Sequence, residues 1–328
     1  MKKNPQNSNY ILNAAKGILF SLFVLTVFIS SCTKERLADE KTAGPSYTSA
    51  SSFYTANQQQ EQTFQVDSPG TKPIIGKMGT ILSGYDSIFM TPSGQSIYYP
   101  YTLKLIEIYP VKDMILSNMP SVGGGNILET GGEIRIRAFK GSTELVLKPG
   151  KRYPMLLDTN NTLLSNMKVF YGFANTAGST SFTDWTSNVT SLDPSINPDN
   201  LSQVVNYPLF YGMDIARMGW VNCARNYSNS SPTTPITFAA AGTNPQNIDI
   251  FLVFKDIHSM TQVYNLKSQP IPLGTNLTIV AISRDSNSGN TLVYDKQDIT
   301  VSAAGMSVTL NMVSTTDANL LSILSTFK

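Results

Sequence analysis

The sequence predicts an all-β fold: two β-sandwich-like domains behind a signal peptide and a flexible tether, with one short C-terminal helix. Three observations predict it. Apolar and polar residues alternate with period two along much of the chain. The alternating runs are short and bounded by Gly, Pro, Asn and Asp, and a period near 3.6 appears only at the C-terminal end. The 328 residues are 41% apolar and 14% charged, a globular balance with length for about two domains.

Residues 1–31 come first. A polar basic stretch ending at Lys16 leads into the apolar run Gly17 to Ile29, which is shorter than the ~20 residues that span a bilayer and suits the core of a signal peptide. The run ends at Ile29-Ser30-Ser31-Cys32. This sequence resembles the lipobox of bacterial lipoproteins, with a branched apolar residue at −3, small residues at −2 and −1, then cysteine. The resemblance implies cleavage before Cys32, with Ile29, Ser30 and Ser31 read by the signal peptidase and the Cys32 thiol receiving diacylglycerol. Acyl chains there would hold the protein to a membrane, each buried methylene contributing about 0.8 kcal/mol. The alternatives are an ordinary signal peptide with an incidental cysteine, or an uncleaved short anchor. Thr33, where an aspartate would favour inner-membrane retention, points to the outer membrane. Lys34-Glu35 resembles the charged surface-export signal of some Bacteroidota lipoproteins. Removing Lys2, Lys3 and Lys16 takes the formal net charge from +2 to −1. A near-neutral mature chain lacks the field that neutralises phosphates, so nucleic acid is not an expected partner.

Residues 32–60 are rich in Ser, Thr, Ala, Gln and charge, without a sustained apolar period, and are expected to be a lipidated tether with a reach on the order of 30 Å. The alternative is a short docked helix over Leu37 to Lys41.

The first sandwich is assigned to 61–190. Tyr101 to Tyr109 alternates, with Tyr101, Leu103 and Leu105 on one face, and in Glu133 to Phe139 the residues Ile134, Ile136 and Ala138 point inward. Lys140-Gly141-Ser142 is a tight connection to Thr143–Leu147, Lys148-Pro149-Gly150 is a further turn, and Met167 to Tyr171 is another strand. Lys112 to Asn118 makes one helical turn. The polar passage Ser187 to Gln203 marks a boundary, and 191–328 forms the second sandwich. There Ile248 to Phe254 reads as a buried strand, Asn276 to Ser283 and Ser307 to Met312 as alternating strands, and Thr316 to Phe327 as a helix striped by Leu320, Leu321 and Leu324.

Several short motifs suggest a family: Gly79-Thr80, Leu103 to Tyr109, Asp113-Met114, Gly124-Gly125, Leu128-Glu-Thr-Gly-Gly132, Lys168 to Gly172, Met218 to Arg225, and Pro272-Leu-Gly274 before Leu277 to Ala281. Together they are similar to secreted Bacteroidota proteins of unassigned role, over about residues 61–328. The first half also looks distantly like the ZU-type β-sandwich of ankyrins and netrin receptors, a likeness that implies protein interaction and carries no catalytic content.

The residues themselves offer little catalytic chemistry. His258 is the one histidine, which rules out a multi-histidine metal site, and no nucleophile elbow accompanies it. It is expected to be a surface or hydrogen-bonded residue. Once Cys32 is lipidated, Cys223 is the one remaining thiol, so neither a disulfide nor a cysteine cluster for zinc can form, and Cys223 is expected to pack beside Trp220 in the core. Gly123 to Gly125 lacks the residues of a phosphate-binding loop and reads as a turn. No metal or cofactor is expected. Asp184 beside Trp185 is the pairing that would serve carboxylate chemistry. Trp185, Tyr98 and Tyr99 are candidate ligand-contact aromatics, lying in polar or proline-flanked stretches where rings can stack on sugars or anchor a protein. The expected function is a non-catalytic binding or structural module of the envelope, engaging an unknown envelope protein, with glycan capture as the alternative and a carboxylate-type hydrolase as the third reading.

Overall fold

In the computed structural model the described residues are 44–68, 72–85, 87–159, 163–173, 184–188, 204–302 and 304–327. The expected signal peptide, with Ile29, Ser30, Ser31, Cys32 and residues 33–43, lies outside them, as does most of the expected boundary passage.

The described chain is all-β. It opens with β1 (Tyr47–Thr48), helix α1 (Ser51–Asn57), β2 (Gln62–Val66), β3 (Ile74–Ile75), β4 (Ile81–Leu82) and β5 (Phe89–Met90). It continues through β6 (Tyr101–Ile108), α2 (Val111–Leu116), β7 (Val122–Gly123), β8 (Asn126–Lys140), β9 (Thr143–Leu147) and β10 (Tyr153–Asp158). Next come β11 (Lys168–Phe173), β12 (Asp184–Thr186), β13 (Val204–Asn206), β14 (Phe210–Ile215) and β15 (Gly219–Asn226). The remaining elements are β16 (Thr233–Thr234), β17 (Thr237–Ala240), β18 (Asp249–Phe254), β19 (Met260–Val263), β20 (Ile271–Pro272), β21 (Asn276–Asp285), β22 (Thr291–Thr300), β23 (Ser307–Leu310), β24 (Val313–Ser314) and α3 (Asp317–Leu324).

Two large sheets carry the fold. The order β12-β11-β15-β8-β6-β2 forms the first, and β19-β18-β21-β22-β24 the second, with β1 paired to β21. A smaller sheet, β13-β14-β10-β4-β3, covers one face of the first. Strand alternation explains the stacking, because successive side chains point to opposite faces. On β6 and β8, Leu103, Leu105, Ile134 and Ile136 face the smaller sheet, where they meet Leu82, Tyr153, Met155 and Tyr211. Ile108, Leu128 and Ala224 face the other way, onto α1, α2, α3 and the Phe251, Val253, Val280 and Ile282 face of the second sheet. The opposite face of that sheet packs Ile250, Leu252, Ile279 and Ala281 beneath Phe238 and Val308 of the parallel pair β17 and β23. The second sheet is thus covered on both faces, which is why β21 reads as almost continuously apolar, whereas the first keeps a half-exposed charged strip of Lys104, Arg135 and Arg137 along β6 and β8.

Three departures from the expectations have physical causes. First, residues 45–60 are part of the fold. Tyr47 pairs with Asp285, and Phe53 and Tyr54 of α1 are buried in the middle core, so the tether reading fails over this stretch. Full burial of each ring contributes about 1.5–3 kcal/mol, which offsets part of the entropy lost in ordering a short polar helix. Second, the boundary at 190/191 divides sheets that are continuous. β14 pairs with β10 and β15 pairs with β8, so residues 204–226 belong to the first block, and Pro45–Lys328 forms a single compact unit. Third, Trp220 is half-buried under the Arg135 guanidinium, 5.7 Å from its ring centroid, and does not reach the core as expected.

Candidate functional site

A cleft of about 760 Å³ opens where the end of β6, the middle of β8 and the β18–β19 connection meet. Tyr109 and Pro110 supply one wall, Glu129, Thr130 and Gly131 the floor, and Val253 to His258 the facing wall, with Phe327 closing one side.

The floor is shaped by a β-bulge. Cys223 stands opposite Gly132 and Ala224 opposite Thr130, which leaves Gly131 as an extra residue in β8. Both glycines are required. A Cβ on Gly131 would lie 2.7 Å from the Tyr211 ring, and one on Gly132, at φ +149°, would lie 2.7 Å from the Tyr109 ring. The bulge turns the Thr130 backbone toward the second sheet. There Thr130 N–H donates to the His258 carbonyl at 3.0 Å, and His258 Nδ1 lies 2.8 Å from the Thr130 carbonyl. A carbonyl only accepts, so Nδ1 carries the hydrogen. Burial lowers the proton affinity of His258, while the Thr130 and Tyr109 carbonyls and Glu129 pull the other way. His258 is therefore a clamp between the two sheets, as the hydrogen-bonded reading expected.

A buried polar chain runs beneath the clamp. Thr130 Oγ1 donates to Asn222 Oδ1 at 2.6 Å, and Asn222 Nδ2 donates to Glu133 Oε1 at 3.2 Å. The same oxygen accepts from Ser121 Oγ at 2.9 Å, and Ser121 N–H reaches the Met260 carbonyl at 2.8 Å. Glu133 is fully buried and its Oε2 has no partner, so desolvation pushes its carboxyl up to about 8. On the Tyr109 side, the Tyr109 and Thr80 hydroxyls are 2.9 Å apart, and Glu107 accepts from Met78 N–H and Thr80 N–H at 3.0 Å each. The Gly79-Thr80, Tyr109 and Leu128-Glu-Thr-Gly-Gly132 motifs thus meet around one cleft.

At its mouth the polar groups are engaged with one another. Arg225 Nε and Nη2 hold Glu129 Oε2 at 2.7 and 2.6 Å. A smaller recess of about 230 Å³ shares Lys255 and Asp256 with the cleft. Here Lys255 Nζ is 3.0 Å from Asp298 Oδ1, which also accepts from Thr278 Oγ1 at 2.6 Å, and Asn276 Nδ2 donates to Asp256 at 3.2 Å.

The aromatics singled out from the sequence are dispersed. Trp185 is 1% exposed and donates from Nε1 to the Pro120 carbonyl at 3.0 Å. It is a core residue and not a ligand contact, because β12 lies against β11 and turns the ring inward. Asp184 accepts from Gly124 N–H and Trp185 N–H, so it caps the glycine turn and does not face the cleft. Tyr99 is half-buried, stacked on Tyr101, with its hydroxyl on the Gly84 carbonyl, whereas Tyr98 stands 59% exposed. Cys223 is buried, as expected of a packing thiol, but it sits in the core beneath the smaller sheet and not beside Trp220, which lies against the middle core on the other face of β15. The cleft residues Tyr109, Glu129, Lys255 and Asp256 escaped sequence reasoning; the adjacent glycines within a strand pattern were the signal that marked the bulge. Compared with known proteins, the chain matches no family model, no curated protein and no solved structure.

Proposed function

We propose that this chain is a lipid-anchored cell-envelope binding module that takes a segment of a partner protein into the cleft between its two large sheets. The cleft itself carries the reading. Its volume of about 760 Å³ falls in the range of ligand sites, and its walls combine apolar residues such as Val253, Phe254 and Leu164 with a few convergent polar groups. Its carboxylates are occupied, Glu129 by Arg225 and Asp256 by Asn276, an arrangement suited to shape and charge recognition more than to proton transfer. The lipobox resemblance at Ile29 to Cys32 supports the envelope location.

Two measurements test the proposal. A photo-crosslinking residue at Ile257, on the cleft wall, should give a reproducible adduct in intact cells that the same residue at exposed Val313 does not give; equal or absent adducts would remove the cleft from the reading. Intact mass of detergent-extracted protein should show residues 32–328 plus acyl-glyceryl groups, lost in Cys32→Ala. An unmodified chain cut elsewhere would remove the anchor.

A further inference from the structure

β6 runs from the cleft at Tyr109 back to Tyr101, roughly 25 Å along the strand, and the end remote from the cleft carries a second feature. Tyr98 presents a ring that is 59% exposed, with the Lys148 ammonium 5.8 Å from its centroid. Lys140 Nζ donates to the carbonyls of Tyr98 and Pro100 at 3.4 and 2.5 Å, which places a second positive charge beside the same loop. Among the described residues neither lysine has a carboxylate within ion-pair distance, whereas six other cation–carboxylate contacts are made elsewhere.

The base of this loop is fixed. Tyr153, Tyr99 and Tyr101 donate their hydroxyls to the successive carbonyls of Ser83, Gly84 and Tyr85, at 2.7, 3.1 and 2.8 Å. Tyr99 stacks on Tyr101 with centroids 5.5 Å apart, and Phe89 packs edge-on against Tyr101 at 5.2 Å. A ring held this way loses little freedom on binding, which favours affinity.

We propose that Tyr98, Lys140 and Lys148 form a binding site for an acidic polysaccharide, distinct from the cleft. A uronate residue stacks its apolar ring face on Tyr98 and sets its carboxylate against the Lys148 ammonium, with Lys140 adding to the local positive field. The chemistry matches because a uronate joins a flat apolar face and an anion in one rigid unit, as Tyr98 and Lys148 join a ring and a cation. An anionic membrane surface is a poorer match, since its attraction requires clusters of about 4–8 basic residues and this site offers two ammonium groups.

The test is affinity electrophoresis of the full chain in gels containing polygalacturonate or its fully methyl-esterified form, beside co-sedimentation with phosphatidylglycerol vesicles. Polygalacturonate should retard the protein, and the esterified polymer should do so far less. Tyr98→Ala should weaken binding about tenfold, equivalent to ~1.4 kcal/mol. Lys148→Met should weaken it at low salt, and that difference should vanish near ~1 M salt, where the Debye length is about 3 Å. Tyr264→Ala, which removes an equally exposed ring just past the end of β19, should change nothing. Wild-type protein that ignores polygalacturonate overturns the proposal, as does binding that survives Tyr98→Ala. Vesicle binding lost in the same variants would overturn it in favour of a lipid headgroup. None of the three substitutions touches the cleft, so crosslinking from Ile257 reports on the cleft reading separately.

Discussion

Glu133 is where solution conditions act most directly on a single side chain. In the unfolded chain its carboxyl titrates near 4.5 and in the fold near 8, so between those values the folded state holds a proton that the unfolded state has released. Stability therefore falls as pH rises through that window, by at most about 1.4 kcal/mol per unit. Urea titrations at pH 5 and pH 8.5 should show the wild type losing a few kcal/mol between them. Glu133→Gln should lose less; parallel losses would place the pH dependence elsewhere. Gly132 poses a steric question at the same scale. Alanine there must adopt φ +149° with its methyl against Tyr109, a cost of about 1–3 kcal/mol that a urea midpoint will register. Asn222 and Ser121, which donate to Glu133 Oε1, were not legible in the sequence, because hydrogen bonds between residues 89 and 12 positions away leave no local pattern. Trp185 was misread for a related reason. Its neighbours are polar, yet pairing of Gly172 with Trp185 decides which way the ring turns.

Among the elements, those with strong local signals were legible. The alternation of Tyr101 to Ile108 appears as β6, and Lys140 pairs with Thr143 across Gly141-Ser142 as the turn residues required. Gly124 and Gly125, with φ of +57° and +80°, form the primed turn that joins β7 to β8. Thr316 accepts from Asn319 N–H as the cap of α3. β1 and α1 carry no comparable signal. Ser51 to Asn57 holds two aromatics among polar residues that pack on α2 and Phe251, and β1 before it is held to a strand some 235 positions away. This element yields its own prediction. Phe53 is fully buried, so Phe53→Ala should cost about 3–5 kcal/mol in urea denaturation, as for a core ring. A change within ~0.5 kcal/mol, the usual size for an exposed site, would return residues 45–60 to the tether.

For the whole molecule, the question is whether two sandwiches fold apart or together. The sequence divides them near residue 190, where composition turns polar, but composition does not record strand order. β13, β14 and β15 follow that passage and return to the first sheets, β14 against β10 and β15 against β8. The middle core then joins the halves. Phe170, Ala224 and Leu128 of the first sheet share it with Val253, Val280 and Leu292 of the second and with all three helices. The His258–Thr130 pair of hydrogen bonds and the Ser121–Met260 bond cross the same junction. An interface that is itself a hydrophobic core couples the stability of the two sides, because exposing either strands apolar surface of the other. We expect one calorimetric transition whose van't Hoff and calorimetric enthalpies agree, the signature of two-state unfolding. Separate fragments 45–190 and 191–328 should fail to fold, since the cut removes β14 and β15 from the sheets they complete. Two resolved transitions, or a fragment 191–328 with native near-ultraviolet dichroism, would show that the halves are autonomous and that the cleft between them is free to open.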